Sequence, residues 1–162
     1  MKFCLLDRIT LLEPNVRITA VKRLRPEEDY LKDHFPRFPV MPGVLMLEAM
    51  FQAGAWLILG SDDFAYPLIL MKEARNVKYA DFVTPGKELT VSVEIVKTDN
   101  RLVTLKAEGA IGDKTAVTAR LLVEKQTVGE LFPARGQTDQ FARHTQRELL
   151  AKLCRGTLAP AT

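Results

Sequence analysis

The chain has 162 residues, 47% of them hydrophobic and 27% charged, with a formal net charge of +3 and a pI of about 8.9. This describes one soluble globular domain large enough to bury a sizeable core. So mild a basicity excludes a nucleic-acid footprint and points only weakly to an acidic partner. The opening run, Met1 to Arg8, is broken by charge too early for a signal peptide. Cys4 and Cys154 lie at opposite ends without metal-like spacing, and the chain has two histidines, so no zinc site is expected. The reading is a cytoplasmic protein without metal or cofactor.

In chain order, Ile9 to Glu13 reads as a short strand turned at Pro14-Asn15, and Val16 to Leu24 alternates weakly as a second. Pro26 to Leu31 suits a short helical turn with acidic residues near its start. Prolines 36, 39 and 42 then recur every third residue. Each fixes its own φ and biases its predecessor towards extended backbone, so a stiff, non-helical strap is expected before Pro42. Pro42 suits the first helical position, and from Val44 to Leu59 nearly every residue is apolar. A helix apolar on every side lies in a core or a membrane. A run of about sixteen residues interrupted by Glu48 and Gln52 falls short of the roughly twenty a span requires, so a buried core helix ending at Gly60 is expected.

Pro67 to Met71 restarts as β-rich sequence and stays extended through Tyr79, before a turn at Thr84 to Lys87. Glu88 to Thr98, Leu102 to Ile111 and Thr115 to Glu124 follow as three β segments. One long helix followed by consecutive antiparallel strands argues for an α+β fold with the sheet curled around the helix. Beyond Gln126, Gly129, Pro133 and Gly136 read as a linker. Thr138 or Asp139 is placed to cap a helix reaching Cys154, with Phe141, Leu149, Leu150 and Leu153 on its apolar side. Residues 1–126 are therefore assigned to the main domain and 127–162 to a linker and C-terminal helical extension, expected to be separable. His144, without a partner motif, reads as solvent-facing.

Glu48 and Gln52 are four residues apart and share a helix face, where a carboxylate is costly unless paired or used. Taken singly, Glu48 reads equally as a satisfied structural carboxylate, and His34 as a loop histidine. Their combination, with a helix N-terminus between them, raises the weight of a functional reading. His34-Phe35-Pro36, then Pro39-Val40-Met41-Pro42-Gly43-Val44-Leu45, then Glu48-Ala49-Met50 and Gln52, closely resembles the signature of the β-hydroxyacyl-acyl-carrier-protein dehydratases, hotdog-fold enzymes of bacterial fatty-acid synthesis. Weaker similarity runs from Leu5 to about Lys125, including Leu6-Asp7-Arg8-Ile9 and Val83 to Leu89.

The resemblance implies a hotdog fold and a (3R)-3-hydroxyacyl thioester dehydratase that yields the trans-2-enoyl thioester. Its implied partners are an acyl carrier protein and further copies of itself, as a homodimer or a trimer of dimers, with no nucleic acid and no membrane span. Dehydration needs a base for the proton beside the carbonyl, an acid for the departing hydroxide, and a donor for the thioester oxygen. The resemblance assigns these to His34, Glu48 and the Gly43 N–H, or has His34 relay both protons. In a dimer it sets His34 of one subunit against Glu48 of the other. Phe35 and Gln52 are further substrate-site candidates, Gln52 in support, and Phe35, Phe38, Met46, Met50 and Phe51 are candidate acyl-tunnel residues. Isomerising relatives tend to carry aspartate where this chain has Glu48, which favours plain dehydration. Departures are Asp33 in place of the usual glycine, Ala80-Asp81-Phe82 in place of a basic pair and proline, and the extra tail. The alternatives are an acyl thioesterase and a non-catalytic acyl-binding or assembly protein on the same fold.

Overall fold

The computed structural model describes residues 3–156. Six strands form one antiparallel sheet in the order β1-β2-β4-β5-β6-β3. They are β1 (Arg8–Glu13), β2 (Arg17–Arg23), β3 (Leu68–Tyr79), β4 (Glu88–Asp99), β5 (Leu102–Ile111) and β6 (Lys114–Gln126). Period-2 alternation sends Ile18 and Ala20, Leu89, Val91 and Val93, Val103, Leu105 and Ala107, and Leu121 and Val123 to one buried face. The sheet curls around α2 (Gly43–Ser61), preceded by the short α1 (Tyr30–Asp33) and followed, after β6, by α3 (Val128–Leu131) and α4 (Thr138–Arg155).

By length and composition α2 would suffice to cross a membrane. Instead Ala49, Met50, Ala53 and Leu57 are fully buried in the core shared with the strands. Met50 and Leu57 each contribute about 1.5–3 kcal/mol of burial, the two alanines less. Gly54 allows the approach, because a Cβ there would lie 2.5 Å from Leu105 Cδ1 on β5.

Three local expectations change. Gly60 does not end the helix. Asp62 N–H still donates to the Ile58 carbonyl at 3.0 Å, and the Asp62 side chain receives the Lys125 ammonium at 2.8 Å. Pro42 is the residue before the helix rather than its first, with ψ 136°. The expected cap of α4 goes elsewhere: Gln137 precedes the helix, while the Asp139 carboxylate accepts from the N–H groups of Val128 and Gly129. That bond set turns the anticipated linker into α3 plus a 3-10 turn at Pro133–Arg135, with Thr127 and Glu130 forming a capping box.

The extension begins where β6 ends, but it packs on the domain. Leu153 is 0% exposed within the main core, with Leu149 and Leu150 packed beside it. Arg143 donates to the carbonyls of Phe64 and Ala65, Gln146 to that of Pro67, and Arg147 to that of Asp63. The separable tail expected from composition is thus a helix seated across residues 63–67.

Candidate functional site

The strap starts from a braced base. Lys22 is buried and pairs with Glu28, while Asp7 bonds Arg25 at 2.9 Å and receives the Arg23 N–H at 2.6 Å. Burial, and then the neighbouring Glu28 carboxylate, push the Tyr30 phenol well above its usual range. His34 leaves α1 as its C-terminal cap, its N–H donating to the Tyr30 carbonyl at 3.2 Å.

Phe35 then takes a left-handed conformation, φ 48°, uncommon for a residue with a bulky side chain. Phe38 N–H closes the turn on the Phe35 carbonyl at 2.8 Å. The strap is therefore bent immediately after His34, where the prolines alone predict extended backbone. The His34 and Phe35 rings lie 4.4 Å apart at 52°. At the far end Val40 and Met41 are buried, and Met41 N–H reaches the Val83 carbonyl at 2.9 Å. Both ends are fixed, and residues 35–39 stand in solvent.

Gly43 opens α2 without a side-chain cap; Leu45 and Met46 N–H both donate to the Pro42 carbonyl, at 2.9 and 3.2 Å, which leaves the N–H groups of Gly43 and Val44 without an intrahelical partner. The Tyr79 ring covers it: a Cβ at Gly43 would lie 2.9 Å from Tyr79 Cε1. Only glycine fits without moving that ring. Around this helix end Phe35, Phe38, Val44, Tyr79 and Phe82 are all at least half exposed, and the Phe38 and Phe82 rings meet edge-on at 5.7 Å.

Five residues on, about 7.5 Å along the axis at 1.5 Å per residue, Glu48 is half-buried on the face it shares with Gln52. Gln52 is 3% exposed and fully engaged. Its Nε2 donates to Glu48 Oε1 at 3.0 Å and to the Phe3 carbonyl at 3.1 Å, while its Oε1 accepts from Leu5 N–H at 2.9 Å. The amide therefore ties the carboxylate to the chain's N-terminal segment. Among the described residues no hydrogen bond or ion pair joins His34 to Glu48 within one chain.

Glu48 and Gln52 also stand at a largely apolar cavity of about 350 Å³. It runs along α2 past Phe51 and Trp56 to Leu59, and its opposite wall is α4 with the start of β3. Of the expected tunnel residues, Phe51 lines this cavity, Met46 and Met50 are buried in the core, and Phe35 and Phe38 face solvent, Phe35 being 59% exposed. The contributions of Tyr79 and α4 were not foreseen. The spacing of Phe141, Thr145 and Leu149, one α4 face, is the sequence signal that was available for the helix. His144 is exposed, 3.5 Å from Glu148. Among the described residues no group of three or more His, Cys, Asp or Glu is placed to hold a metal ion.

A FabA-like domain matches residues 1–120. The chain belongs to the FabA-like family. It is 36% identical over 120 residues to the 3-hydroxyacyl-acyl-carrier-protein dehydratase FabZ of Clostridium kluyveri, covering 74% of this chain and 83% of that one. A Levilactobacillus brevis FabZ is 36% identical over 116 residues, 72% and 78% of the two chains. Among solved structures, the dehydratase heterocomplex ApeI:P of Xenorhabdus doucetiae superposes with a TM-score of 0.67 at 18% identity, over 81% of this chain and 88% of that one. An uncharacterized protein of Pyrococcus horikoshii, PH1136, gives 0.60 at 11%, over 75% and 83%. Both structures share the fold, the hotdog α+β architecture. The family domain stops short of α3 and α4.

Proposed function

We infer that the protein is a 3-hydroxyacyl-acyl-carrier-protein dehydratase, a hydro-lyase of fatty-acid synthesis. The observation that carries the site assignment is a carboxylate held by a buried amide, beside an apolar cavity, below an uncapped helix N-terminus. The (3R)-hydroxyacyl chain enters on a carrier protein in the cytoplasm. Its thioester oxygen accepts from the Gly43 N–H, at the positive end of the α2 dipole. The His34 imidazole takes the proton from the carbon beside the carbonyl, and that C–H electron pair becomes the new double bond. The C–O bond at the next carbon breaks, and the hydroxide leaves as water with the proton supplied by Glu48. Gln52 engages Oε1, which directs Oε2 to the hydroxyl. Phe35 braces the His34 ring from outside the cavity.

The reactive pair is shared between two copies of the chain. The exposed aromatic patch around Gly43 favours this, since large apolar patches mark association surfaces and a twofold axis exchanges the two straps. The test is complementation. His34→Ala and Glu48→Gln are each expected to lose at least about a hundredfold in turnover. When the two are mixed under conditions that exchange subunits, about half the dimers are mixed and each holds one intact site, so roughly a quarter of wild-type activity returns. Persistent inactivity, with exchange verified by mass measurement, would falsify the shared site. Wild-type protein that leaves crotonyl and 3-hydroxybutyryl thioesters unchanged would overturn the dehydratase assignment.

A further inference from the structure

The cavity beside Glu48 has one wall that the family domain does not supply. Residues 1–120 match that domain, whereas Phe141, Thr145 and Leu149 lie on α4, beyond it. They are spaced by four residues and occupy one face of the helix. Facing them on α2 are Phe51, Trp56 and Leu59, with Glu48 at the end nearer Gly43. From Glu48 to Leu59 is eleven residues, about 16 Å along the helix. The cavity is therefore a slot between two helices, with the Glu48 carboxylate and Gln52 at one end and a largely apolar lining beyond, interrupted by Thr145 and Gln146 of α4.

Its walls are held to one another. Arg143, Gln146 and Arg147 clamp α4 onto the carbonyls of residues 63–67, and Pro67 itself lines the slot. Leu153, one turn past Leu149, is anchored in the core. The wall does not yield easily, so the slot has a defined size. Phe141, 70% exposed, stands at its edge.

We propose that α4 is a specificity-determining wall which converts the face of α2 beyond Glu48 into a bounded slot for the substrate's acyl tail, and so limits chain length. The proposal rests on the dehydratase reading for the chemistry at Glu48. The ligand class follows from the lining: a linear aliphatic chain, with its one polar end at Glu48 and Gln52. A methylene occupies about the volume of a water molecule, roughly 30 Å³, so about 350 Å³ holds on the order of ten carbons. Thr145 is a small residue midway along the wall, where added bulk shortens the slot. Leu149 stands two turns beyond Phe141, where removed bulk lengthens it.

Full-length protein is assayed in two ways. Hydration of crotonyl and 2-decenoyl thioesters gives a kcat/KM ratio for long over short chains. Separately, Trp56, the one tryptophan of the chain, lines the slot. Its emission therefore reports binding of decanoyl-pantetheine, whose acyl chain has neither a 3-hydroxyl to lose nor a double bond to hydrate. Thr145→Phe is expected to lower the long-to-short ratio, and the affinity for decanoyl-pantetheine, at least about tenfold, the range a few methylenes command in an apolar pocket. Leu149→Ala is expected to raise the ratio for dodecenoyl over decenoyl thioesters about threefold or more. A folded Thr145→Phe protein with ratio and affinity unchanged overturns the proposal. Should that variant not fold, Leu149→Ala decides alone, an unchanged chain-length ratio overturning it. If wild type hydrates neither thioester but decanoyl-pantetheine shifts Trp56 emission and Thr145→Phe abolishes the shift, the slot stands and the dehydratase reading falls.

Discussion

Replacing Gln52 by leucine isolates what holds Glu48 in place. The side chain is 3% exposed and makes three hydrogen bonds, to Glu48 Oε1, the Phe3 carbonyl and Leu5 N–H. Leucine fills much of the same space without a donor or acceptor. Leaving the buried Leu5 N–H unpaired costs about 1–3 kcal/mol, and the two lost bonds about 0.5–1.5 kcal/mol each. The added apolar burial offsets part of this, so a net loss of about 2–4 kcal/mol is expected in urea unfolding, read as a lower midpoint at unchanged slope. Gln52 touches no reacting atom, and its effect on turnover is one of positioning. Without the Nε2 donor the Glu48 carboxylate is free to rotate away from the substrate's hydroxyl. At temperatures where the variant is fully folded, kcat for crotonyl hydration should fall about ten- to a hundredfold, a fraction of what a general acid contributes, with KM little changed. A folded Gln52→Leu protein with wild-type kcat would refute the positioning role while leaving the structural one intact. Unchanged stability would refute the hydrogen-bond accounting itself.

Gly43→Ala is expected to push the Tyr79 ring aside and raise KM. In a Tyr79→Ala background the same change should cost several-fold less, and equal losses in both backgrounds would show that the ring is not what confines Gly43. Leu153→Ala removes a fully buried anchor of α4 and is expected to cost about 2–5 kcal/mol, measured by thermal or urea unfolding of the full chain. For Tyr30, the folded-state shift is upward, by burial first. The stability from keeping the phenol protonated is therefore complete below its unfolded pKa of about 10, and is lost as pH rises from there towards the folded value. Tyr30→Phe should leave the pH dependence of stability near neutrality unchanged and flatten the alkaline fall in melting temperature. An identical alkaline fall in both proteins would remove Tyr30 from the linkage.

The core helix and the sheet were legible because their signals are local. A continuous apolar run carrying Glu48 and Gln52 on one face favours a core over a membrane, and the alternation in β4, β5 and β6 marks one buried face. The strap was legible in composition but not in shape. Proline spacing describes backbone bias, whereas the bend after His34 depends on a left-handed Phe35 closed by Phe38 N–H, a conformation no propensity favours. The chemistry proposed for His34, Gly43 and Glu48 comes from a motif; the structure itself adds their placement on the strap and on α2. The clamp on Glu48 was only half readable: the four-residue spacing places Gln52 beside it, while the bonds to Phe3 and Leu5 join residues nearly fifty positions apart. The seat of α4 had no sequence signature. Its arginines and Gln146 bind mainly backbone carbonyls, which every residue possesses; Arg147 alone also meets side chains there, the Asp63 carboxylate at 3.3 Å and the Phe64 ring, and neither marks a docking site in the sequence.

The division of labour between these parts follows from their anchoring. Gly43 and Glu48 stand on one helix whose opposite face is sealed into the sheet at Met50, Ala53 and Leu57. Neither can shift without disrupting the core, and such rigidity suits groups that must meet a substrate at fixed spacing. His34 stands instead on a strap fixed at α1 and at Met41 but solvent-exposed between. Whatever covers residues 35–39 therefore sets the final place of the imidazole. On the shared-site reading proposed above, a second copy of the chain laid over the aromatic patch around Gly43 does this and brings the strap to a neighbouring Glu48 in one step. On the slot proposal, chain-length selection falls to α4, held by bonds to loop carbonyls and by Leu153. The proposed reacting groups and the proposed selecting wall are thus carried by different elements, so the wall can change without moving Glu48.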